Sequence, residues 1–216
     1  MEEQRPFELG AVYQAEWSKE PIRVVAFDAA VVFYDIWRPD VGAWALMASK
    51  GNFNYYRISA PFLYAHAKYI RTDAYSDTEF ARHRPDLPMS FAIAGSVDWS
   101  STPPRDAGEL VDMLRQASVD MASASALLEL PTLYLEPFGP KGSSLPGVLV
   151  TARDGKTFTG AELLLQAWQL QAPNVRESSI VKGLGLHRAG VKKGIPSYYI
   201  WGSASRLAEW KRGELH

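Results

Sequence analysis

The side chains best suited to hold an anion are concentrated between residues 182 and 201. Lys182-Gly-Leu-Gly-Leu-His-Arg-Ala-Gly-Val-Lys-Lys-Gly194 runs directly into Ile195-Pro-Ser-Tyr-Tyr-Ile-Trp201. Gly183, Gly185, Gly190 and Gly194 allow sharp turns and close backbone approach, as a nest of anion-binding N–H groups requires. Lys182, Arg188, Lys192 and Lys193 supply charge that neutralises phosphate, and His187, Tyr198 and Tyr199 add polar or stacking faces. No Asp or Glu lies between Glu177 and Glu209. This composition predicts a glycine-rich basic loop followed by an aromatic strand, with single-stranded RNA as its ligand. A solvated loop carrying ordinary lysines is the competing account.

Catalytic groups are scarcer. His66, His83, His187 and His216 have no metal-ligand spacing with one another, and no metal or cofactor is expected. His66 sits in an apolar stretch and reads as a packed core histidine, whereas Arg82-His83-Arg84 reads as surface. His187 is the one histidine in a basic, glycine-rich setting and is the general-base candidate if the chain cleaves a phosphodiester. Asp28 and Asp35 are seven residues apart on a strand-like run, which places them on opposite faces rather than in one acid pair.

Other familiar patterns fail. Gly155-Lys-Thr157 lacks the first glycine of a P-loop, since Val150 stands there. Gly183-Leu-Gly-Leu-His-Arg188 lacks the third glycine of a dinucleotide fingerprint. No Gly-x-Ser-x-Gly elbow is present. Phe138-Gly-Pro-Lys-Gly-Ser-Ser144 offers amides and Lys141 to an anion, with a plain turn as the simpler account.

Composition sets the frame for these groups. The 216 residues are 47% hydrophobic and 22% charged, with 12% aromatic, the profile of a globular chain. There is no cysteine, which excludes disulfides, thiolate metal sites and a cysteine nucleophile, and suits a cytoplasmic location. The acidic start Met1-Glu-Glu-Gln-Arg5 is no signal peptide, and no apolar run approaches the ~20 residues of a membrane helix. The net charge of −1 hides an asymmetry: Asn174–His216 carries +5 and the preceding residues −6. Such a split suggests an anionic partner for one end.

The expected elements form a single α+β domain over residues 1–216. Residues 1–20 read as an arm or short strand, and Ile22–Phe27 and Ala30–Tyr34 as one long strand or two paired ones. Asp40 is expected to cap a helix over Val41–Ser49. Residues 55–70 fit strand or helix, and 71–88 reads as a charged, exposed excursion. Asp106-Ala-Gly-Glu109 and Thr159-Gly-Ala-Glu162 are capping boxes opening helices to about Glu129 and to Ala172. Strands are expected at Thr132–Phe138, Gly147–Thr151 and Ser197–Trp201, and a last helix at about Ser203–Arg212.

The order of these features resembles the RAMP superfamily of CRISPR-associated proteins. Ile22–Tyr34, Trp37-Arg-Pro-Asp40 and Val41–Ser49 match its first strand, turn and helix, and Lys182–Gly194 before Ser197–Trp201 matches its glycine-rich loop and last strand. Two departures stand out: the loop spacing is irregular, and Lys192-Lys193 replaces the closing small-apolar pattern. The resemblance implies a ferredoxin-like core with insertions and RNA as partner. It also implies a role beside other protein subunits in a ribonucleoprotein complex, gripping guide RNA without turnover. A guide-processing endoribonuclease using His187 is the alternative within that family. From a different class, the aromatic richness and acidic first 173 residues fit a protein-binding immunity or anti-defence module.

Overall fold

A computed structural model describes residues 7–27, 31–45, 47–49, 52–54, 56–92, 97–98, 102–119, 121–175, 183, 185–203 and 205. It is mixed α+β, with mostly antiparallel sheets and few helices. Internal contacts divide the chain into two compact units, Met1–Met89 with Ala189–Pro196 and Ser90–Arg188 with Ser197–His216. Among the described residues no helix is long and apolar enough to cross a membrane.

The first unit begins with β1 (Ala11–Ala15), β2 (Ile22–Phe27) and β3 (Val31–Arg38), a meander of antiparallel strands. Their β-branched and aromatic residues suit a pleated surface. β4 (Ala43–Ala45) turns back along β3. β5 (Met47–Ser49) and β6 (Asn52–Asn54) form a further hairpin, and β7 (Tyr56–Ser59) pairs with β3. Helix α1 (Ala60–His66) follows, and β8 (Ala67–Thr72) pairs with β1. Residues from the sheet's strands and from α1 share one core. Tyr13, Ile22, Val24, Val32, Tyr34 and Leu63 lie at its centre, with Tyr56, Ile58 and Tyr69 packed against them.

The helix expected over Val41–Ser49 is therefore a pair of short strands. Arg38 and Asp40 close on each other at 2.7 and 2.8 Å, which takes the Asp40 carboxylate away from capping. Gly42 adopts φ +61°, and Trp37 meets Trp44 directly across β3 and β4. The expected excursion at 71–88 is ordered by α2 (Asp77–His83), which Ser76 and Glu79 open with a reciprocal capping box.

In the second unit, β9 (Ser90–Ala92) precedes α3 (Ala107–Gln116), opened by Asp106 as its pattern predicts. α3 ends far short of Glu129: Ser118 takes φ +54°, and a short α4 (Ala122–Ser125) follows. Next come β10 (Leu127–Leu128), β11 (Thr132–Glu136), β12 (Val148–Thr151) and β13 (Phe158–Thr159). α5 (Gly160–Gln171), capped by Thr159, is buried along most of its length, with Trp168 wholly enclosed. A 3-10 turn at Ala172–Asn174 takes the chain past Pro173.

β14 (Gly185–Lys192) and β15 (Ile195–Trp201) complete the described chain. The first half of β14 pairs with β9, while Gly190, Val191 and Lys192 pair with β6. β15 runs parallel to β11 through Tyr134–Ser197, Leu135–Tyr198 and Glu136–Tyr199. The expected helix near Ser203–Arg212 lies almost wholly outside the described residues.

Candidate functional site

The glycine-basic stretch is not the loop its composition predicts. Gly185–Lys192 is a strand in which every residue is buried. Lys193 and Gly194, both with positive φ, form a two-residue turn into β15. Gly185 is needed for close packing rather than for a nest: a Cβ there would lie 2.5 Å from the Trp201 indole nitrogen. His187, Arg188 and Tyr198 are fully buried, and Lys192 is nearly so. Gly183 and Gly190 are buried as well, and Tyr199 is half-buried. Lys182 lies outside the described residues. Of the expected phosphate contacts, the described structure leaves Lys193 exposed at the turn.

The other anion-loop candidates resolve into ordinary turns. In the Phe138–Ser144 segment, the Gly139 N–H donates to Ser143 and the Gly142 N–H to Gly139. Gln171, itself buried, bonds both the N–H and the carbonyl of Phe138. At 154–157 the Asp154 carboxylate accepts from the Lys156 and Thr157 N–H groups, each at 2.7 Å, and holds its own turn. Among the described residues no group of three or more His, Asp or Glu side chains could hold a metal.

Two histidines exchange their expected places. His83 is buried at the end of α2, near Tyr75. His66 is half-exposed at the end of α1, where its Nδ1 lies 3.0 Å from the Glu16 carboxylate. The cause is tertiary. The capping box fixes α2 with His83 facing inward, while α1 turns Leu63 to the core and leaves Phe62 and His66, four residues apart, on its outer face.

That outer face belongs to a second constellation. The Trp17 ring lies 5.3 Å from Phe62, and Phe62 lies 4.3 Å from the His66 ring. Trp17 and Phe62 keep 40% and 46% of their surface in water. Tyr34 of β3 is buried and stacked on Tyr56 at 5.4 Å. Burial pushes the Tyr34 hydroxyl upward, so it stays protonated. The Glu16 N–H donates to the His66 carbonyl at 3.0 Å, pinning the segment after β1 to the end of α1.

The opposite face of the β2–β3 sheet carries a different device. Arg23, 1% exposed, bonds Asp35 at 2.7 Å and Glu79 at 2.9 Å. Its guanidinium lies 4.4 Å from the Tyr75 ring centre and 4.8 Å from that of Trp44. With the Tyr75 hydroxyl donating to the Val24 carbonyl, this cluster clasps α2 onto the sheet. Every group in it is matched within the fold, which marks it as structural.

In the second unit an open groove of about 430 Å³ runs beside α3, lined by Ala107, Gly108, Val111 and Ala161. Its charged residues, Asp112 and Arg115, pair with each other at 3.2 Å.

No family model, curated protein or solved structure matches the chain.

Sequence reasoning missed the Trp17–Phe62–His66 row because its members come from segments read as an arm and as an ambiguous apolar run. The available signal was local: Glu16-Trp17 and Pro61-Phe62 place large rings beside polar or turn-forming neighbours.

Proposed function

We propose that the chain is a binding module and that its first unit docks a protein partner through the Trp17–Phe62–His66 face. The observation that carries this reading is the contact between two large exposed rings, Trp17 and Phe62, on the outer face of α1. Aromatic anchors dominate protein interfaces. The acidic balance of the first 173 residues and the exposed Glu16 beside the rings suit a partner with basic character. The test is a selection of random peptides displayed on phage, counter-selected against a Trp17→Ala/Phe62→Ala chain. Binders that need both rings support the docking face, and a pool without ring dependence removes it.

A second reading is an RNA-binding subunit of a ribonucleoprotein complex in the cytoplasm, built on a ferredoxin-like core with insertions. Its structural support is the exposed Lys193 at the β14–β15 turn. Ultraviolet absorbance of the purified chain before and after ribonuclease treatment tests it. Co-purifying RNA that depends on Lys193 favours it over the protein partner.

A further inference from the structure

We propose that α2 is a releasable strap: Arg23 of the sheet holds it through Glu79, and the ionisation of Asp35, which shares the same guanidinium, sets how firmly.

Burial explains why charge decides the docking. Phe80 is the one large apolar side chain in Asp77–His83, and it keeps 43% of its surface in water. A helix usually stays on a sheet by burying an apolar stripe, and α2 has none. Its docking contacts are polar instead. The Arg23 Nη2 donates to Glu79 Oε1 at 2.9 Å, and the Tyr75 hydroxyl donates to the Val24 carbonyl at 2.8 Å. The chain is fastened separately on either side of this segment. Before it, the Asp73 N–H donates to the Gly10 carbonyl at 2.9 Å, and after it Leu87 and Met89 are buried. Tyr75–Arg84 can therefore lift while the sheet stays folded.

One guanidinium nitrogen serves two carboxylates from different elements. Nη2 lies 2.7 Å from Asp35 Oδ2 and 2.9 Å from Glu79 Oε1, so the two acids are close like charges whenever both are ionised. Tyr75 and Trp44 lie over the guanidinium, His83 stands beyond Tyr75 at 6.1 Å, and β1 opposes Arg23 with the apolar Val12. Burial, opposed by Arg23 and reinforced by the Glu79 charge, pushes Asp35 up to about 6. In mild acid Asp35 is neutral and Glu79 has Arg23 to itself. Lifting α2 takes the Glu79 charge away and admits water, so Asp35 falls towards its ordinary range. Docking therefore has its full support in mild acid and loses it as pH rises through about 6. A complete return of Asp35 to its ordinary value would set the ceiling, about a hundredfold in the docking equilibrium.

Amide hydrogen exchange of the full chain, followed by NMR from pH 4.5 to pH 8 and divided by intrinsic rates, reads the strap. The Phe80 and Arg84 N–H groups donate to the Ser76 and Phe80 carbonyls and report on α2. Their protection should fall by about tenfold between pH 5 and pH 8, and stay below that of the β1–β2 amides throughout. Asp35→Asn should hold the pH 5 protection up to pH 8. Glu79→Gln should lower protection at pH 5 and shrink the later fall. Glu79 is 31% exposed, so this variant supplies the reading should Asp35→Asn fail to fold. His83→Gln should keep the fall near pH 6.

Protection equal to that of the β1–β2 amides at every pH means that α2 opens only with its whole unit, and overturns the strap. A wild-type profile without the fall overturns the part given to Asp35. So does a fall that survives Asp35→Asn and vanishes in His83→Gln.

Discussion

Gly185 and Trp201 occupy one space: the absence of a side chain at the first leaves room for the indole of the second. A Cβ on Gly185 would stand 2.5, 2.6 and 2.8 Å from the Nε1, Cε2 and Cζ2 atoms of Trp201. Atoms at those distances must separate, and Gly185 lies inside a buried strand. Gly185→Ala should therefore destabilise the chain by about 1–3 kcal/mol through overpacking. Urea denaturation measures the cost. In a double-mutant cycle, Trp201→Leu should recover a large part of it, because the colliding ring is gone.

The Arg23–Asp35 pair predicts an asymmetry between single and double substitution. Asp35→Ala strands a buried guanidinium on one partner, Glu79, and should cost about 3–5 kcal/mol. Arg23→Met combined with Asp35→Leu removes both charges and keeps apolar volume, and should cost less than that single change. Denaturant midpoints of the three chains decide the matter, and a double variant worse than Asp35→Ala would sink the argument.

Stability should also respond to pH through this cluster. Burial pushes the Asp35 carboxyl up to about 6 from its ordinary 3.8, against the hydrogen bond and charge of Arg23. Between those values the folded chain holds a proton that the unfolded chain has released. Asp35 therefore contributes stability that is fully present below pH 3.8 and is lost as pH rises through about 6, an effect of roughly 3 kcal/mol. Glu79 runs the other way. Burial would raise it, but the Ser76 N–H and the Arg23 guanidinium hold it below its ordinary range, so its contribution is lost as pH falls through that lowered value. Asp35→Asn should remove the first slope and leave the second, so stability relative to wild type should improve between pH 4 and pH 7.

Lys193 predicts a gain. It adopts φ +50° ahead of Gly194 at φ +80°, the pair of conformations for which Asn-Gly is favoured in a two-residue hairpin turn. Lys193→Asn should stabilise the chain by about 0.5–1 kcal/mol, and Lys193→Val should destabilise it by more, because a β-branched residue resists that conformation. Thermal melting of the two variants gives opposite shifts if the turn is as described.

The same turn shows what the sequence could and could not convey. Helices α3 and α5 and the β2–β3 pair were legible because Asp106, Thr159 and the β-branched runs act locally. The segment around Gly185 was not, since glycine gives the same sequence signal whether it frees a loop or makes room for a neighbour. Trp201 decides which, and the contact between them is tertiary. Asp40 shows the same limit: it had the chemistry of a helix cap, but its carboxylate went to Arg38, two residues back. The aromatic row was hidden for a related reason. Trp17 and Phe62 meet only once β8 returns to β1, and neither stretch alone signals that meeting.

The division of the chain constrains the order in which it can be completed during synthesis. The first unit includes Ala189–Pro196, and β6 takes its partners from Gly190, Val191 and Lys192. Until Pro196 has left the ribosome, the growing chain carries β6 with one edge unpaired, a template on which a neighbouring nascent chain can add a strand. The interval of greatest aggregation risk therefore spans synthesis of the whole intervening unit, and slowing translation between residues 90 and 188 should lengthen that exposure.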